Sequence, residues 1–214
     1  VVGNISNEGT ITISAEVVSS GASAKVDLDD VYGIAIEGND LDGSFSNDGN
    51  IAITATGSMS GSSSSNSLSM DKIYGINVGD SLSGSFSNSG NITILASADV
   101  NASSSGNLNI DDVYGLELDG EIDGNFSSSG TISLSVNASG QSSVDISVSD
   151  IMGLYLDSDI GGSATHSGSI TVGVNVENSS EDVELYDIRG LKNYGAISDF
   201  TNSGSITVNV DAEI

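Results

Sequence analysis

The chain has 214 residues, of which 30 are acidic and four basic, giving a net charge of −26, and it contains no Cys, Pro or Trp. Without Cys there is no disulfide framework, zinc ribbon or thiol nucleophile, and four cations cannot form the basic surface that nucleic acid or an anionic membrane requires. Disorder is excluded too, because apolar residues make up 37% of the chain and are regularly spaced and rich in Ile and Val.

Residues 3–13 read Gly-Asn-Ile-Ser-Asn-Glu-Gly-Thr-Ile-Thr-Ile. The phrase returns at 43–53, 84–94, 124–134 and 162–172, and once more from Phe200 to Val208. Its anchoring glycines are Gly9, Gly49, Gly90, Gly130, Gly168 and Gly204, separated by 40, 41, 40, 38 and 36 residues. A second phrase lies between the copies: Asp-Asp-Val-Tyr-Gly-Ile-Ala-Ile at 29–36, then 71–78 and 111–118, with decayed copies at 150–156 and 187–191. Residues 1–214 are therefore read as a single repeat domain.

Each repeat predicts three strands. The first follows the anchoring glycine and alternates strictly, as in Ile92, Ile94 and Ala96 against Asn91 and Thr93, which is the period of a strand with one buried face. The second runs from Leu108 through Leu118, and the third is short, from Ile122 to Phe126. The variable-length segment falls between the first and second strands, most clearly at 57–67 with its run of four serines. Complete absence of Pro suits a ladder that uses every backbone N–H.

The expected fold is an all-β, parallel β-solenoid of about five repeats of ~40 residues, right-handed by the usual chirality of such connections. A β-propeller is the alternative at this period. It fits less well, because the two termini duplicate one segment (Gly9 to Ile13 and Gly204 to Val208) where a propeller would have them complete one blade. One wide coil of three strands per repeat is favoured over two coils of ~20 residues. Stacked coils turn aligned columns into ladders. Phe45, Phe86, Phe126 and Phe200 form a core ladder, and Asn7, Asn47, Asn88, Ser128, His166 and Asn202 a corner ladder.

The phrases Asn-Ser-Gly-Asn-Ile-Thr-Ile (88–94) and Val-Tyr-Gly-Leu (113–116), with a Ser/Ala/Gly-rich stretch between them, resemble the repeats of bacterial autotransporter passenger and filamentous adhesin regions. The resemblance spans essentially the whole chain. It implies an exported, right-handed β-helical rod used for surface display, adhesion or matrix building. The membrane barrel of an autotransporter is missing from this sequence, so the chain corresponds at most to a passenger or part of one.

Chemistry is sparse. His166 has Ser163, Thr165 and Ser167 nearby, but it occupies the Asn column and reads as a substituted corner residue. Asp187 and Arg189 are the one acid–base pair a β-helical lyase could use, and Arg189 simply takes the Tyr position of its repeat. No enzymatic activity is expected. Asp30, Asp112, Asp150 and Asp187 form an acidic column, interrupted by Lys72, that could hold Ca²⁺ weakly through carboxylate oxygens. No other cofactor is expected. Glycosylation candidates are Asn101, Asn137 and Asn178, beside the variable segment.

No stretch approaches the ~18 apolar residues of a membrane span, and residues 1–4 lack a signal-peptide pattern. Low Lys and high Ser, Asn and Thr point to an extracellular or cell-surface product. Neither end carries a polar cap: Val1 and Val2 at one end and Ile206, Val208 and Val210 at the other are apolar residues on open edges. The expected function is a non-enzymatic structural protein that stacks head to tail with copies of itself into a filament or surface fibre. The alternative is a segment of a longer adhesin passenger that binds a surface or glycan.

Overall fold

The computed structural model describes residues 2–21, 24–61, 66–102, 105–141, 143–178 and 182–213. Its first coil is β1 (Ile5–Asn7), β2 (Thr10–Ser19), β3 (Lys25–Leu28) and β4 (Val31–Ile36). The second is β5 (Phe45–Asn47), β6 (Asn50–Gly61), β7 (Asn66–Met70) and β8 (Ile73–Val78). The third is β9 (Phe86–Asn88), β10 (Ile92–Ala102), β11 (Gly106–Ile110) and β12 (Val113–Leu118). The fourth is β13 (Phe126–Ser128), β14 (Thr131–Gly140) and β15 (Val144–Leu156), and the fifth is β16 (Ala164–His166), β17 (Ser169–Asn178) and β18 (Val183–Asn193). The sixth begins with β19 (Phe200–Asn202) and β20 (Ser205–Glu213).

Every strand pairs in parallel with its equivalent one coil away. Sheet I is β1-β5-β9-β13-β16-β19, and sheet II is β2-β6-β10-β14-β17-β20. Sheet III joins β3, β7 and β11 to one half of β15, and β4, β8 and β12 to the other, with β18 stacked on β15. The fold is a β-solenoid of about five turns with one coil per ~40-residue repeat. Parallel in-register neighbours about 40 residues apart, such as Ile92 opposite Ile51 and Ile132, rule out the propeller. Among the described residues no helix is long and apolar enough to cross a membrane.

The core fills the space enclosed by the three sheets. Ile51, Ile92, Ile132 and Ile170 from sheet II, and Ile73, Val113 and Ile151 from sheet III, are almost fully buried. Phe45, Phe86 and Phe126 stack with ring centroids 5.2 and 5.4 Å apart and planes within 22° and 14° of parallel. Phe200 departs from the expected core ladder. Ala164 occupies the rung between it and Phe126, and among the described residues no strand pairs with β19 on its other side, so Phe200 is 38% exposed.

Two glycine columns are steric requirements. A Cβ on Gly49, Gly90, Gly130, Gly168 or Gly204 would collide with the carbonyl oxygen of the anchoring glycine one coil before. These corners place backbone directly on backbone. On sheet III a Cβ on Gly75, Gly115 or Gly153 would strike both the next glycine of its column and the Cγ2 of Ile92, Ile132 or Ile170. That close approach seats sheet II on sheet III. The glycine also shifts the alternation of its strand: Val113 faces the core, Tyr114 packs in a separate outer cluster, and Leu116 faces the core again.

The expected third strand is shorter than read. Ile122 makes only an isolated bridge, in a ladder with Leu41, Leu82, Ile160 and Ile197, and regular pairing begins at Phe126. Register offsets locate the length changes. They switch from 40 (Ile11 to Ile51) to 42 (Val26 to Leu68) between sheets II and III, as expected. They also drop from 42 (Val31 to Ile73) to 41 (Phe45 to Phe86) between sheets III and I, which the sequence reading missed. Residues 62–65 of the serine run lie outside the described residues.

Phe86→Ala should cost ~3–5 kcal/mol, the range for a fully buried aromatic truncation, read as a lower unfolding midpoint in guanidinium at unchanged slope. An unchanged midpoint would mean that the Phe column is not interior.

Candidate functional site

The densest chemistry lies on the outer side of sheet III, at the corner that splits each of its coils. Asp30, Lys72, Asp112, Asp150 and Asp187 all have left-handed backbones there, with φ of 57°, 51°, 49°, 51° and 52°. Among non-glycine residues Asp and Asn tolerate this conformation best. The acidic column therefore has a backbone cause that the sequence reading did not see.

The four metal candidates do not form one site. Asp30 accepts a 3.0 Å hydrogen bond from the Tyr32 hydroxyl and lies 3.9 Å from the Lys72 ammonium. Asp187 is paired with Arg189 and, at 2.6 Å, with Lys192. Burial pushes the Asp187 carboxyl up, but its bonds to Lys192 and Arg189 outweigh burial and hold it below the usual carboxylate range. What the fold does bring together is Asp111, Asp112 and Asp150, each able to turn one oxygen to a point within 4.8 Å of the others. Asp111 Oδ1 accepts from the Ser149 hydroxyl (2.7 Å) and the Asp112 N–H (3.1 Å), and Asp112 Oδ1 accepts from the Tyr114 hydroxyl (2.6 Å). Burial, the charge of Asp111 and a hydrogen bond with Asp187 push Asp150 up to about 6. Three carboxylates can offer hard oxygen ligands to a divalent cation.

Beside the acidic corner runs an aromatic spine. Tyr74 and Tyr114 stack at 5.2 Å between centroids, and Tyr32 lies at the same distance from Tyr74 with its ring tilted by 54°. Met152 takes the fourth position, and Tyr155, from the adjacent outer column, meets Tyr114 edge-on at 5.4 Å. Tyr194 follows at 6.1 Å, with the Lys192 ammonium over both rings at 5.4 and 4.9 Å, a cation–π arrangement. Burial raises the hydroxyl pKa of Tyr74, with the charges of Glu117 and Asp112 adding to it.

Glu117 shares the Tyr155 column and is buried, accepting a hydrogen bond from the Asn77 amide. Burial and the charge of Asp119 push its pKa from 4.5 up to about 8, against the opposing Asn77 bond, with Asp112 and Asp157 adding to the rise. Glu117 is therefore mostly a neutral acid at pH 7. Nothing in the sequence marks it, because it alternates with Leu116 and Leu118 as an ordinary outward residue would. The only advance signal for the spine was the Tyr32/Tyr74/Tyr114 column.

On sheet I the Asn7 amide donates to Asn47 and the Asn47 amide to Asn88, both at 2.7 Å. The ladder then lapses, since Asn88 turns to the Gly90 carbonyl at 3.2 Å. His166 is fully buried in this column, and neither of its ring nitrogens, nor Ser128 Oγ, has a partner in hydrogen-bond geometry. Burial lowers the His166 pKa, with the Ser128 backbone opposing.

Of the glycosylation candidates, Asn101 is exposed and Asn137 half-buried. Asn178 is corrected: it is 7% exposed, and its amide donates to the Val144 carbonyl at 3.0 Å. Val1 lies outside the described residues. Val2 is exposed and bridges to Asp42. Ile206, Val208 and Val210 are 40, 40 and 49% exposed, against 0, 0 and 2% for their rung partners Ile170, Val172 and Val174. The large exposed apolar residues among those described are Val2, Ile5, Val18, Tyr186, Tyr194, Phe200, Ile206, Val208 and Val210. All of them belong to the first coil or to the chain from β18 onward. Comparison with protein-family models, with curated proteins and with solved structures returns no match.

Two outcomes are expected from the acidic face. Glu117 ionises near 4.5 in the unfolded chain but near 8 when folded. Its stabilising contribution is complete below pH ~4.5 and is lost as pH rises through 8, a change on the order of 5 kcal/mol. Glu117→Gln should flatten this part of the profile and raise Tm at pH 8–9 relative to wild type, as read by circular dichroism. A parallel profile for both proteins would show that Glu117 is solvated.

The second outcome concerns cations. Ca²⁺ held by Asp111, Asp112 and Asp150 is expected to raise Tm at millimolar concentration, and Asp112→Asn to abolish the rise. NaCl at matched ionic strength reproducing all of it would assign the effect to screening.

Proposed function

We propose that the chain is a non-enzymatic, extracellular structural protein whose coils stack end to end with those of other copies into a filament or surface fibre. The observation that carries this reading is that, among the described residues, exposed large apolar residues fall in the first coil and from β18 onward. An open rung also presents a row of unpaired backbone groups and a slice of core, which pairs readily with another strand edge. The columns support the same reading. Phe200, Asn202, Gly204, Ile206 and Val208 repeat the spacing and type of Ile5, Asn7, Gly9, Ile11 and Ile13, so one end is chemically suited to the other. Contacts of this head-to-tail kind give open filaments. Burial of the single histidine supports a non-catalytic role, and the −26 charge disfavours side-by-side bundling.

In the second reading the chain is part of a longer adhesin passenger, and further coils of the same polypeptide continue its end rungs. The persistence of the repeat columns into both end rungs suits that reading as well.

Negative-stain microscopy of the purified 214-residue chain is expected to show unbranched fibres, with a ~4.8 Å axial spacing in fibre diffraction. Val208→Lys with Val210→Lys should abolish them while the monomer stays β-rich. A wild-type chain that remains monomeric at high concentration would reject the filament reading and favour the passenger.

A further inference from the structure

We propose that His166 makes its corner of the solenoid an acid-sensitive joint: the uncharged ring closes the column between coils four and six at neutral pH, and uptake of a proton forces the rungs around it apart.

The residues of coil five set this up. The corner holds Asn7, Asn47 and Asn88 in the first three coils, Ser128 in the fourth and Asn202 in the sixth. Within β16 residues 164 and 166 face inward and residue 165 outward. The inward pair reads Ala-His where coils two and three read Phe-Asn. The ring lost at Ala164 is thus replaced two residues along, on the same inner face, by a ring that can take up charge.

His166 is fully buried between Ser128 of β13 and Asn202 of β19. Neither of its nitrogens, nor the Ser128 hydroxyl, has a partner. The neighbouring acceptors are engaged. The Ser128 carbonyl accepts from the Ser167 N–H at 2.9 Å, and Asn202 Oδ1 accepts from the Gly204 N–H at 3.1 Å. A neutral imidazole needs one donor and one acceptor, and a hydroxyl can serve as either. An imidazolium brings two donors and a full charge, which a dry site does not tolerate without a counter-ion.

Among the described residues no counter-ion faces the ring. Its rung neighbours are Ser128 and Asn202, and the bends beside them carry Ser129, Ser167 and Ser203, where the first two coils have Glu8 and Asp48. β14 has no ionisable residue, and β17 only Glu177, near its far end. Across the core β15 contributes Ile151 and Leu154. Asp123, Asp159 and Asp199, in the bends that lead into β13, β16 and β19, are exposed.

The sign follows from burial, which lowers the pKa of His166 from its ordinary 6.5. The unfolded chain then takes the proton first, so the contribution of the neutral ring is complete above pH ~6.5 and is lost as pH falls below it. Histidine is the side chain suited to such a response near neutrality.

His166 is the single histidine, so its imidazole C2–H gives one proton NMR signal in the intact chain. Between pH 7.5 and 4.5 the native signal is expected to keep its neutral position below pH 6.5 and to lose intensity as the corner opens. A native signal that titrates near 6.5 would overturn the proposal. Hydrogen exchange gives the location. The Ser167 and Ser203 N–H groups, bonded at 2.9 Å to the Ser128 and His166 carbonyls, should lose protection over this range, relative to intrinsic rates. The Ser89 N–H, bonded at 2.9 Å to the Asn47 carbonyl, should keep it. Equal loss at all three would refute a local joint. Neither measurement needs a variant. In urea, the unfolding constant of wild type relative to His166→Asn, the residue of four other coils, should rise by up to about tenfold per pH unit below 6.5. His166→Gln should behave like His166→Asn. The carboxylates titrate in all three proteins and cancel in the ratio, so parallel profiles would reject the proposal.

Discussion

Parallel, in-register pairing between successive coils governs every other choice in this structure. Each residue has its own equivalent about one strand spacing away on the neighbouring coil, so side chains are retained by how well they tolerate their own copy. Phenylalanine stacks, isoleucine interlocks, asparagine donates to asparagine, and glycine lets one carbonyl pass under the next backbone. Aspartate does not fit this scheme electrostatically, since like charges at this distance repel. It is kept at the left-handed corner because the backbone there accepts few other side chains.

The burial cost of that compromise is visible around sheet III. The Tyr114 and Ser149 hydroxyls cap carboxylate oxygens. Lys72 interrupts the column and lies within 4.0 Å of Asp29 and Asp30. In the fifth coil Arg189 and Lys192 hold Asp187. Burial, reinforced by neighbouring carboxylates, raises the pKa values of Asp150 and Glu117, so that Glu117 keeps its proton at neutral pH. The acidic face is thus balanced by hydroxyls, by three scarce cations and by protons.

Much of the fold could be read in the sequence. The period, the sheet II alternation, the one-coil-per-repeat geometry and the Phe and Asn columns all follow from residues repeating near 40, because stacking converts sequence period into spatial contact. What could not be read depends on conformation or on the third dimension. The positive φ of the Asp column is invisible in composition, so its acids looked like ligands. Glu117 alternates like a surface residue and is buried only because the outer side of sheet III carries its own aromatic layer. Asn178 looked accessible beside the variable segment, yet its amide is committed to the Val144 carbonyl. Phe200 matched its column in spacing, but its burial depends on what covers the last rung.

The four bends of each coil differ in how strictly they fix their length. Register offsets stay constant across the Asn-x-Gly bend from sheet I to sheet II and across the left-handed bend inside sheet III. They change only at the bends from sheet II to sheet III and from sheet III to sheet I. The two constant bends rest on stacked glycine backbones or on a single permitted φ, and one added residue would turn a whole strand inside out. A lineage carrying this fold can therefore lengthen its rod only by duplicating complete coils, and can vary its outline only at the two permissive bends. The spacing between anchoring glycines, which falls from 41 to 36 residues over the last four intervals, is absorbed at those two bends: the circumference is adjustable there, while the number of coils changes only in whole steps.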